Sequence, residues 1–451
     1  MMAKKLVAEG KTKRIWETGD TDIVLVESKN DITAFDDPRF TTILQDKAML
    51  SNKTTCQVFE LLQKAGLMVA YMNQTSENEF LAFKTEMIML ECVARRYALP
   101  KGSLVQRLPH LMPKSNDLAR NPPHRFHRLL TEYFLKTTDH QLKIKETTIL
   151  EGLSTDDPLI ADPFADEWHL MHSKKPAGPN ADLGKTILRN LVVGKAELEK
   201  MDVMLRKGFL VLEAAWRALG FWLGDIKFEF GIGPNGEIFI SDVVDNDSWR
   251  LPTFIFTPKW DDYSKQYYRD LLRANPGGLT EEQILEVARR YRVVADLAGK
   301  FRIPEQALII WTGSPNDEIP AKDKYFELSF PGVTVEKVVK SGHKQPRAVA
   351  DEIDRLETRY PDGGVIIVYV GRGNGLGPTL APRTTWPVIS VPADLEKHPE
   401  DIWSSVRLAS KDPHLTTWPF DNAVRAAMNH LAQKNPAVYA ERRYEIEELD
   451  Y

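Results

Sequence analysis

Leu223–Arg250, LGDIKFEFGIGPNGEIFISDVVDNDSWR, carries two apolar runs, Ile226/Phe228/Phe230 and Ile238-Phe239-Ile240, on either side of Pro234-Asn235-Gly236. Alternation interrupted by turn residues predicts a β-hairpin. Asp225 and Glu229 then share one face of the first strand with Lys227 between them, and Asp242, Asp245 and Asp247 leave the end of the second. Carboxylates gathered in this way repel one another unless a cation neutralises them, and a hard, oxygen-seeking ion such as magnesium suits them, with nucleotide phosphate as a further ligand. The plain alternative is a solvated acidic hairpin, but the run is too apolar for an ordinary exposed face. Gly231–Gly236 also satisfies the dinucleotide pattern GxGxxG. That pattern needs a helix to start at the glycines, whereas here a proline and turn residues lead into another strand, so a dinucleotide site is rejected.

Outward from this hairpin, 451 residues with a formal net charge of -5 are enough for two or three domains and carry no global basic field for nucleic acid. Cys56 and Cys92 are too few for a disulfide framework or a cysteine zinc site, and they fit a reducing, cytoplasmic setting. The opening MMAKKLVAEGKTKR lacks an apolar signal core, and no run approaches the roughly 18 apolar residues of a membrane span. Neither export, anchoring nor a membrane partner is expected.

Leu6–Ala8 and Arg14–Glu17 read as strands around a turn holding Gly10, Lys11 and Lys13, where backbone amides and two cations can meet phosphate. Ile23–Val26 is a third strand, and Gln45–Ala65 a helix carrying Lys47. Thr85–Arg96 starts as a buried strand and ends in Arg95-Arg96, followed by the anion-binding turn Lys101-Gly102-Ser103. Asn116–Thr186 reads less regularly, with a helix expected over Arg125–Leu135 and a polar insertion over Asp139–Asp157. Ala196–Leu219 is a helix stopped by Gly220, and a proline-bearing stretch, Leu251–Asp262, follows the hairpin.

Asn275-Pro276-Gly277-Gly278 breaks the chain, and a capping box at Thr280–Gln283 opens a helix to about Ala298. Beyond it the apolar strands Ala307–Thr312, Val333–Val339, Val365–Val370 and Val388–Val391 alternate with helices at Lys322–Ser329 and Arg347–Arg359. This order predicts a doubly wound α/β parallel sheet with its ligand at the carboxyl ends of the strands. The loops there are Gly313–Asp317, Ser341–Lys344 and Gly371–Pro378, and His343 is their candidate proton carrier.

EGKTKRIWE (Glu9–Glu17), EMIMLECVARR with Gly102-Ser103, LGDIKFEFG, SDVVDNDSWR and KQYYR (Lys265–Arg269) resemble the synthetase half of the animal bifunctional enzymes that join SAICAR synthetase to phosphoribosylaminoimidazole (AIR) carboxylase. GSPND, SGHK and GRGNGLGP are similar to the carboxylase loops GSxSD, SAHK and GRSNGLGP. The resemblance implies an α+β, two-lobed, kinase-like ATP-binding synthetase domain over 1–270, a linker and connecting helix over 271–304, and a flavodoxin-like AIR carboxylase domain over 305–451. It further implies that Lys11 and Lys13 contact ATP phosphates, Glu86 to Met89 border adenine, and Glu229 and Asp242 hold magnesium. Arg95, Ser103, Asp247, Arg250, Lys265 and Arg269 would bind the ribotide substrate. His343 and Lys344 would be catalytic in carboxylation, with Ser314, Asp317, Ser341, Arg372 and Asn374 lining that site. Implied partners are purine-pathway ribotides, aspartate and carbon dioxide, without biotin, in a homo-octamer built through the C-terminal domain.

Against the family pattern, Asn316 replaces a serine, Gly342 an alanine, Gly373 a serine, and Ala381-Pro382-Arg383-Thr384 stands for S-G-N-T. If these removed hydroxyl or amide partners of the substrate, each lost bond to a charged group would weaken binding by roughly 1.5–3 kcal/mol. That gives the alternative of a C-terminal domain serving only as an assembly scaffold, with Arg383 as the residue able to replace lost contacts. Leu99-Pro100-Lys101 lengthens the turn before Ser103 and admits an altered acid or amine specificity, and Lys136 is the counterpart of the family's substrate-binding lysine.

Overall fold

The computed structural model describes residues 5–35, 37–114, 120–144, 147–253, 261–320 and 322–449. The chain forms two compact units: Met1–Phe301 together with Glu447–Tyr451, and Arg302–Ile446. Most of the proline-bearing stretch Leu251–Asp262 lies outside the described residues.

Two antiparallel sheets make the frame of the first unit. The smaller runs in the order Leu6–Glu9, Lys13–Glu17, Ile23–Ser28, Glu79–Phe83, Tyr71–Gln74. Helix Lys47–Lys64 covers it with a buried stripe of Leu50, Val58, Phe59, Leu61 and Leu62, the spacing of an apolar helical face. The larger sheet runs Asp182–Leu188, Glu167–Met171, Leu159–Ile160, Arg125–Leu135, Glu86–Tyr97, Asp225–Ile232, Ile238–Ile240, with Trp249–Arg250 also paired to Asp225–Ile232. Helix Lys195–Ala218 packs on this sheet, and it comes close because Gly208 has no side chain: a Cβ there would lie 2.7 Å from the Phe228 ring. The hairpin forms as the alternation predicts, with Gly236 at φ 88° and the Gly233 amide donating to the Glu237 carbonyl at 2.8 Å.

One expectation is overturned. Arg125–Leu135 is a strand, paired in register with Glu86–Tyr97 from Leu90↔Leu135 to Arg95↔Leu130, with a register shift before Tyr97↔Arg125. Its apolar residues suit either period, and the long neighbouring strand decides, because a helix there would leave one edge of the buried backbone of Glu86–Tyr97 without partners. The polar insertion that follows contains a short hairpin, Leu142–Ile144 with Thr147–Leu150. Helix Glu281–Ala298, read from sequence as a connecting element, lies within the first unit and packs on Lys47–Lys64, burying Val287, Tyr291 and Ala295 with Leu50 and Tyr268.

In the second unit five parallel strands run Val333–Val339, Gln306–Thr312, Gly364–Val370, Val388–Pro392, Leu415–Thr416, the 2-1-3-4-5 order of a flavodoxin-like doubly wound fold. Alternate residues feed two cores. Leu308, Ile310, Ile367 and Tyr369 meet helix Phe420–Leu431 on one face, and Ile309, Trp311, Ile366 and Val368 meet helix Pro346–Arg359 on the other. Val333–Val339 is the edge strand, and of its residues only Val338 is buried, so it is not apolar on both faces.

The end of the chain completes the core of the first unit. Arg96 is wholly buried, its Nε and Nη2 donating to Glu213 at 2.8 and 3.1 Å and its Nη2 to Glu447 at 2.6 Å. The other oxygen of Glu447, itself 0% exposed, accepts the Leu129 amide at 2.9 Å. Removing one partner of a buried pair leaves an uncompensated charge, so Glu447→Ala is expected to destabilise the first unit by about 3 kcal/mol in chemical denaturation. A loss below about 1 kcal/mol, the scale of an exposed pair, would contradict this account of the buried carboxylate.

Candidate active sites

Strand Asp225–Ile232 sends Ile226, Phe228 and Phe230 into the core and holds Asp225, Lys227 and Glu229 along its other face, as period two requires. Register fixes what each meets. Asp225 stands opposite Arg95 on one neighbour and opposite Arg250 on the other. Its Oδ2 accepts from Arg95 Nη1 at 2.8 Å and from Arg250 Nε at 2.7 Å. Burial alone would raise the Asp225 carboxyl, but Arg250 and Arg95 outweigh it and hold the group below the usual carboxylate range.

Arg95 also donates to Glu132 at 2.5 Å and to the Ser103 hydroxyl at 3.3 Å, and Arg107 pairs with Glu132. Three arginines thus face two carboxylates beside the Ser103 hydroxyl, with Asp262 also within electrostatic reach of Arg250. Ser103 opens the short helix Ser103–Arg107 after the lengthened turn, and Arg250 reaches the carbonyls of Leu99 and Pro100 at 3.4 and 3.3 Å. The guanidinium fits there because residue 102 is glycine: a Cβ would lie 2.7 Å from Arg250 Nη1. Arg95, Ser103 and Arg250, far apart in sequence, are therefore brought together, two guanidinium groups and a hydroxyl of the kinds that donate to anions.

Two residues further along the strand the partners become lysines. Lys227 donates to Glu229 at 2.7 Å and to Glu91 at 3.0 Å, separating two carboxylates that stand directly opposite in register. Lys136 pairs with Glu229, and Lys13 with Asp242. The Ser241 amide donates to the Glu229 carbonyl at 3.0 Å, which keeps Asp242 next to Glu229. Burial would raise the Glu229 carboxyl; Lys227 and Lys136 instead bring it down to about 2. Burial pushes the Lys13 ammonium down to about 8, with Lys136 and Lys227 repelling it and Glu229 opposing the shift. Lys11 lies exposed on the same turn, closed by the Gly10 amide donating to the Lys13 carbonyl at 2.9 Å. The Met89 carbonyl accepts the Lys136 amide at 3.0 Å, which places Met89 beside this cluster, and Glu86 stands opposite Ile232 further along the same strand.

Among the described residues no group of three or more His, Cys, Asp or Glu side chains forms a metal cage. Glu229 and Asp242 nonetheless suit magnesium, which usually takes one or two carboxylates plus phosphate oxygens and water. The carboxylates that the sequence left in need of a cation are neutralised here by Arg95, Arg250, Lys136, Lys227 and Lys13. A third cluster follows: Asp247 accepts from Lys265 Nζ at 2.8 Å and from the Tyr291 hydroxyl at 2.6 Å, with Arg269 and buried Lys47 nearby. Glu132, Arg107, Glu91 and Tyr291 are not among the residues singled out from sequence. Continued alternation through Leu130, Glu132 and Phe134 was the available signal for Glu132.

In the second unit the predicted loops converge at the carboxyl ends of the strands. The His343 ring lies flat against the glycine loop: a Cβ on Gly375 would sit 2.3 Å from its Cε1 and Nε2, and one on Gly373 would sit 3.7 Å from Nε2. Gly342 is dictated by the same closeness, since a Cβ there would lie 2.4 Å from the Gly375 carbonyl oxygen. Ser314 and Asp317 build one turn, with the Ser314 amide donating to Asp317 at 2.8 Å, and Ser341 caps the next by accepting the Lys344 amide at 3.2 Å. Lys344 and Arg372 are exposed. Asn374 is buried, its amide donating to Ser390 and Ser405 at 2.9 and 3.0 Å and accepting from the Gly377 amide at 2.9 Å, so it braces the loop from within.

Ala381–Thr384 does not lie in this site, and the expectation that its changes remove substrate partners is corrected. It precedes Val388–Pro392 at the amino ends of the strands, where Thr384 donates to Glu357 at the end of helix Pro346–Arg359 at 2.5 Å. Arg383 donates to the Thr379 carbonyl at 2.6 Å and lines a separate cleft of about 480 Å³ with Tyr360 and Trp386. It does not replace contacts at the His343 loop, because the sheet separates the two ends.

The SAICAR synthetase family model matches residues 6–156 and 171–284, and the AIR carboxylase model matches residues 307–448. Over 442 residues the chain is 33% identical to the probable multifunctional protein ADE2 of Caenorhabditis elegans, covering 96% of this chain and 92% of that one. It is 31% identical over 454 residues to the bifunctional phosphoribosylaminoimidazole carboxylase/phosphoribosylaminoimidazole succinocarboxamide synthetase of Homo sapiens, covering 99% and 94%. Among solved structures, phosphoribosylaminoimidazole-succinocarboxamide synthase from Ehrlichia chaffeensis matches 66% of this chain and 100% of its own at 22% identity, with a TM-score of 0.47. The chain belongs to the SAICAR synthetase family and carries an AIR carboxylase domain after the synthetase in the same polypeptide.

Proposed function

We propose that this chain is a bifunctional enzyme of purine biosynthesis: the first unit joins carboxyaminoimidazole ribotide to aspartate at the expense of ATP, and the second adds carbon dioxide to aminoimidazole ribotide without biotin. One observation carries the synthetase reading. A single strand holds an anion cradle at Asp225 and a lysine–carboxylate cluster at Glu229, about 13 Å apart at four residues of strand rise. That span suits a ribotide lying with its phosphate on Arg95, Ser103 and Arg250 and its carboxylate beside the nucleotide.

In this reading Lys11 and Lys13 take the ATP phosphates, Lys136 binds the ribotide beside them, and Glu86 to Met89 border the adenine. With Lys13 turned to phosphate and Lys136 to the ribotide, Glu229 and Asp242 would be the residues to hold magnesium, which would supply charge neutralisation on the transferring group. The ribotide carboxylate oxygen attacks the γ-phosphorus and ADP leaves. The aspartate amine then attacks the acyl carbon, phosphate departs, and the amine proton is lost. Asp247, Lys265 and Arg269 hold the ribose and base side of the substrate.

For carboxylation, the ring carbon of the aminoimidazole attacks carbon dioxide and His343 takes the proton released from that carbon, assisted by Lys344. Ser314, Asp317, Ser341 and Arg372 face the ribotide, while Asn374 keeps their loop in shape. The scaffold alternative loses support because Ala381–Thr384 lies away from the site and Gly342 is required by loop packing. No described helix is long and apolar enough to cross a membrane, and both cysteines are buried and free, which supports a cytoplasmic setting. Assembly into octamers through the second unit is part of the same proposal.

Separate assays test it. Glu229→Gln should lower ATP-dependent amide formation by about 100-fold and leave carboxylation of aminoimidazole ribotide intact, and His343→Asn should do the reverse. Loss of both activities in either variant would contradict separate sites, and a wild-type protein silent in carboxylation would favour the scaffold. Gly375→Ala should cost carboxylation about 100-fold by displacing the imidazole, without moving amide formation. An alanine variant with full carboxylation would show that the ring position does not matter.

A further inference from the structure

Helix Glu281–Ala298 lies mostly beyond the residues matched by the synthetase family model, which end at 284, yet it delivers one polar atom to the Asp247 cluster. The Tyr291 ring is 1% exposed, packed with Leu50, Val287 and Ala295, and its hydroxyl donates to Asp247 Oδ1 at 2.6 Å. Lys265 Nζ donates to the other oxygen, Oδ2, at 2.8 Å. The two donors come from different helices, so the carboxylate cannot rotate without breaking a bond on one side. The Asp247 side chain keeps 18% of its surface open, on a carboxylate whose two oxygens are each already held once. Wholly buried Lys47 sits 5.7 Å from the centre of the Tyr291 ring and adds positive field from below. Lysines 265 and 47 hold the Asp247 carboxyl far below its ordinary range despite burial, while burial and the Asp247 charge push the Tyr291 phenol up, so the phenol stays a donor.

We propose that Tyr291 is a positioning residue of the synthetase site, its buried hydroxyl fixing the carboxylate of Asp247 in the one orientation that meets the ribotide. This rests on the reading of Asp247 as a ribotide contact. A core tyrosine needs its hydroxyl satisfied but does not need a carboxylate to do so. Here the hydroxyl is spent on an ionised group facing the substrate, and orientation fixed before binding lowers what binding must organise.

The test is Tyr291→Phe, which keeps the ring and its packing and removes one oxygen. Loss of a hydrogen bond to a charged group should raise KM for the carboxylated ribotide about tenfold, leaving kcat, KM for ATP and the melting temperature close to wild type. In an Asp247→Asn background the same change should have little further effect, because the two residues act as one unit. An unchanged ribotide KM, a joint rise of the ATP and ribotide KM values with a fall in melting temperature, or full additivity with Asp247→Asn would each overturn the proposal. A wild-type protein that forms no amide from ATP, ribotide and aspartate defeats the parent reading and this one with it. Activity in the wild type with an indifferent Tyr291→Phe defeats this one alone.

Discussion

Charge removed from water must be met by opposite charge at close range, and strand Asp225–Ile232 imposes that constraint on the whole first unit. Asp225 and Glu229 are 6% and 3% exposed on a strand whose other face is wholly apolar, so each draws its partners out of neighbouring elements. Arg95 and Arg250 come to Asp225 from the strands on either side, and Lys136 comes to Glu229 from the end of Arg125–Leu135. Arg95 in turn requires Glu132, and Glu132 requires Arg107. The network fixes strand register, because a slip of one residue would bring Ile226 or Phe228 to the arginines and send the carboxylates into the core. The side chains that stabilise the sheet thus also gather arginines at one end of the strand and lysines at the other.

The second unit meets its constraint with backbone instead of charge. Two loops approach so closely at Gly342 and Gly375 that neither position tolerates a side chain, and the imidazole of His343 rests on the resulting flat surface. Asn374 ties that surface to Ser390 and Ser405 beneath it. A general acid or base needs a defined position more than a strong field, and a glycine platform braced from below provides one. Departures from the family pattern at Gly342 and Gly373 then change the shape of the platform but leave its place in the fold.

Sequence legibility followed the range of the interaction. The hairpin, the helix over Lys195–Ala218 and the parallel strands announce themselves by short-range period and punctuation, and they form where that period puts them. The lysine and arginine clusters were legible through long motifs resembling a family. Residues whose partners are remote were not. Glu132 meets Arg95 across 37 residues, Tyr291 meets Asp247 across 44, and Glu447 meets Arg96 across 351. Nothing local marks such a carboxylate or phenol as different from a solvated one. Arg125–Leu135 departs from its helical expectation for a related reason: its pairing with Glu86–Tyr97, not its own pattern, settles its conformation.

The proposed chemistry requires an exchange of partners, in which the lysines now neutralising Glu229 and Asp242 would move to phosphate and substrate and leave both carboxylates free for one divalent ion. A crystal structure with magnesium and a non-hydrolysable ATP analogue tests it most directly. Lys13 is expected to turn from Asp242 onto the phosphates, with Glu229, Asp242 and phosphate oxygens sharing one ion. An Asp242 still paired with Lys13, and no ion between the two carboxylates, would contradict it.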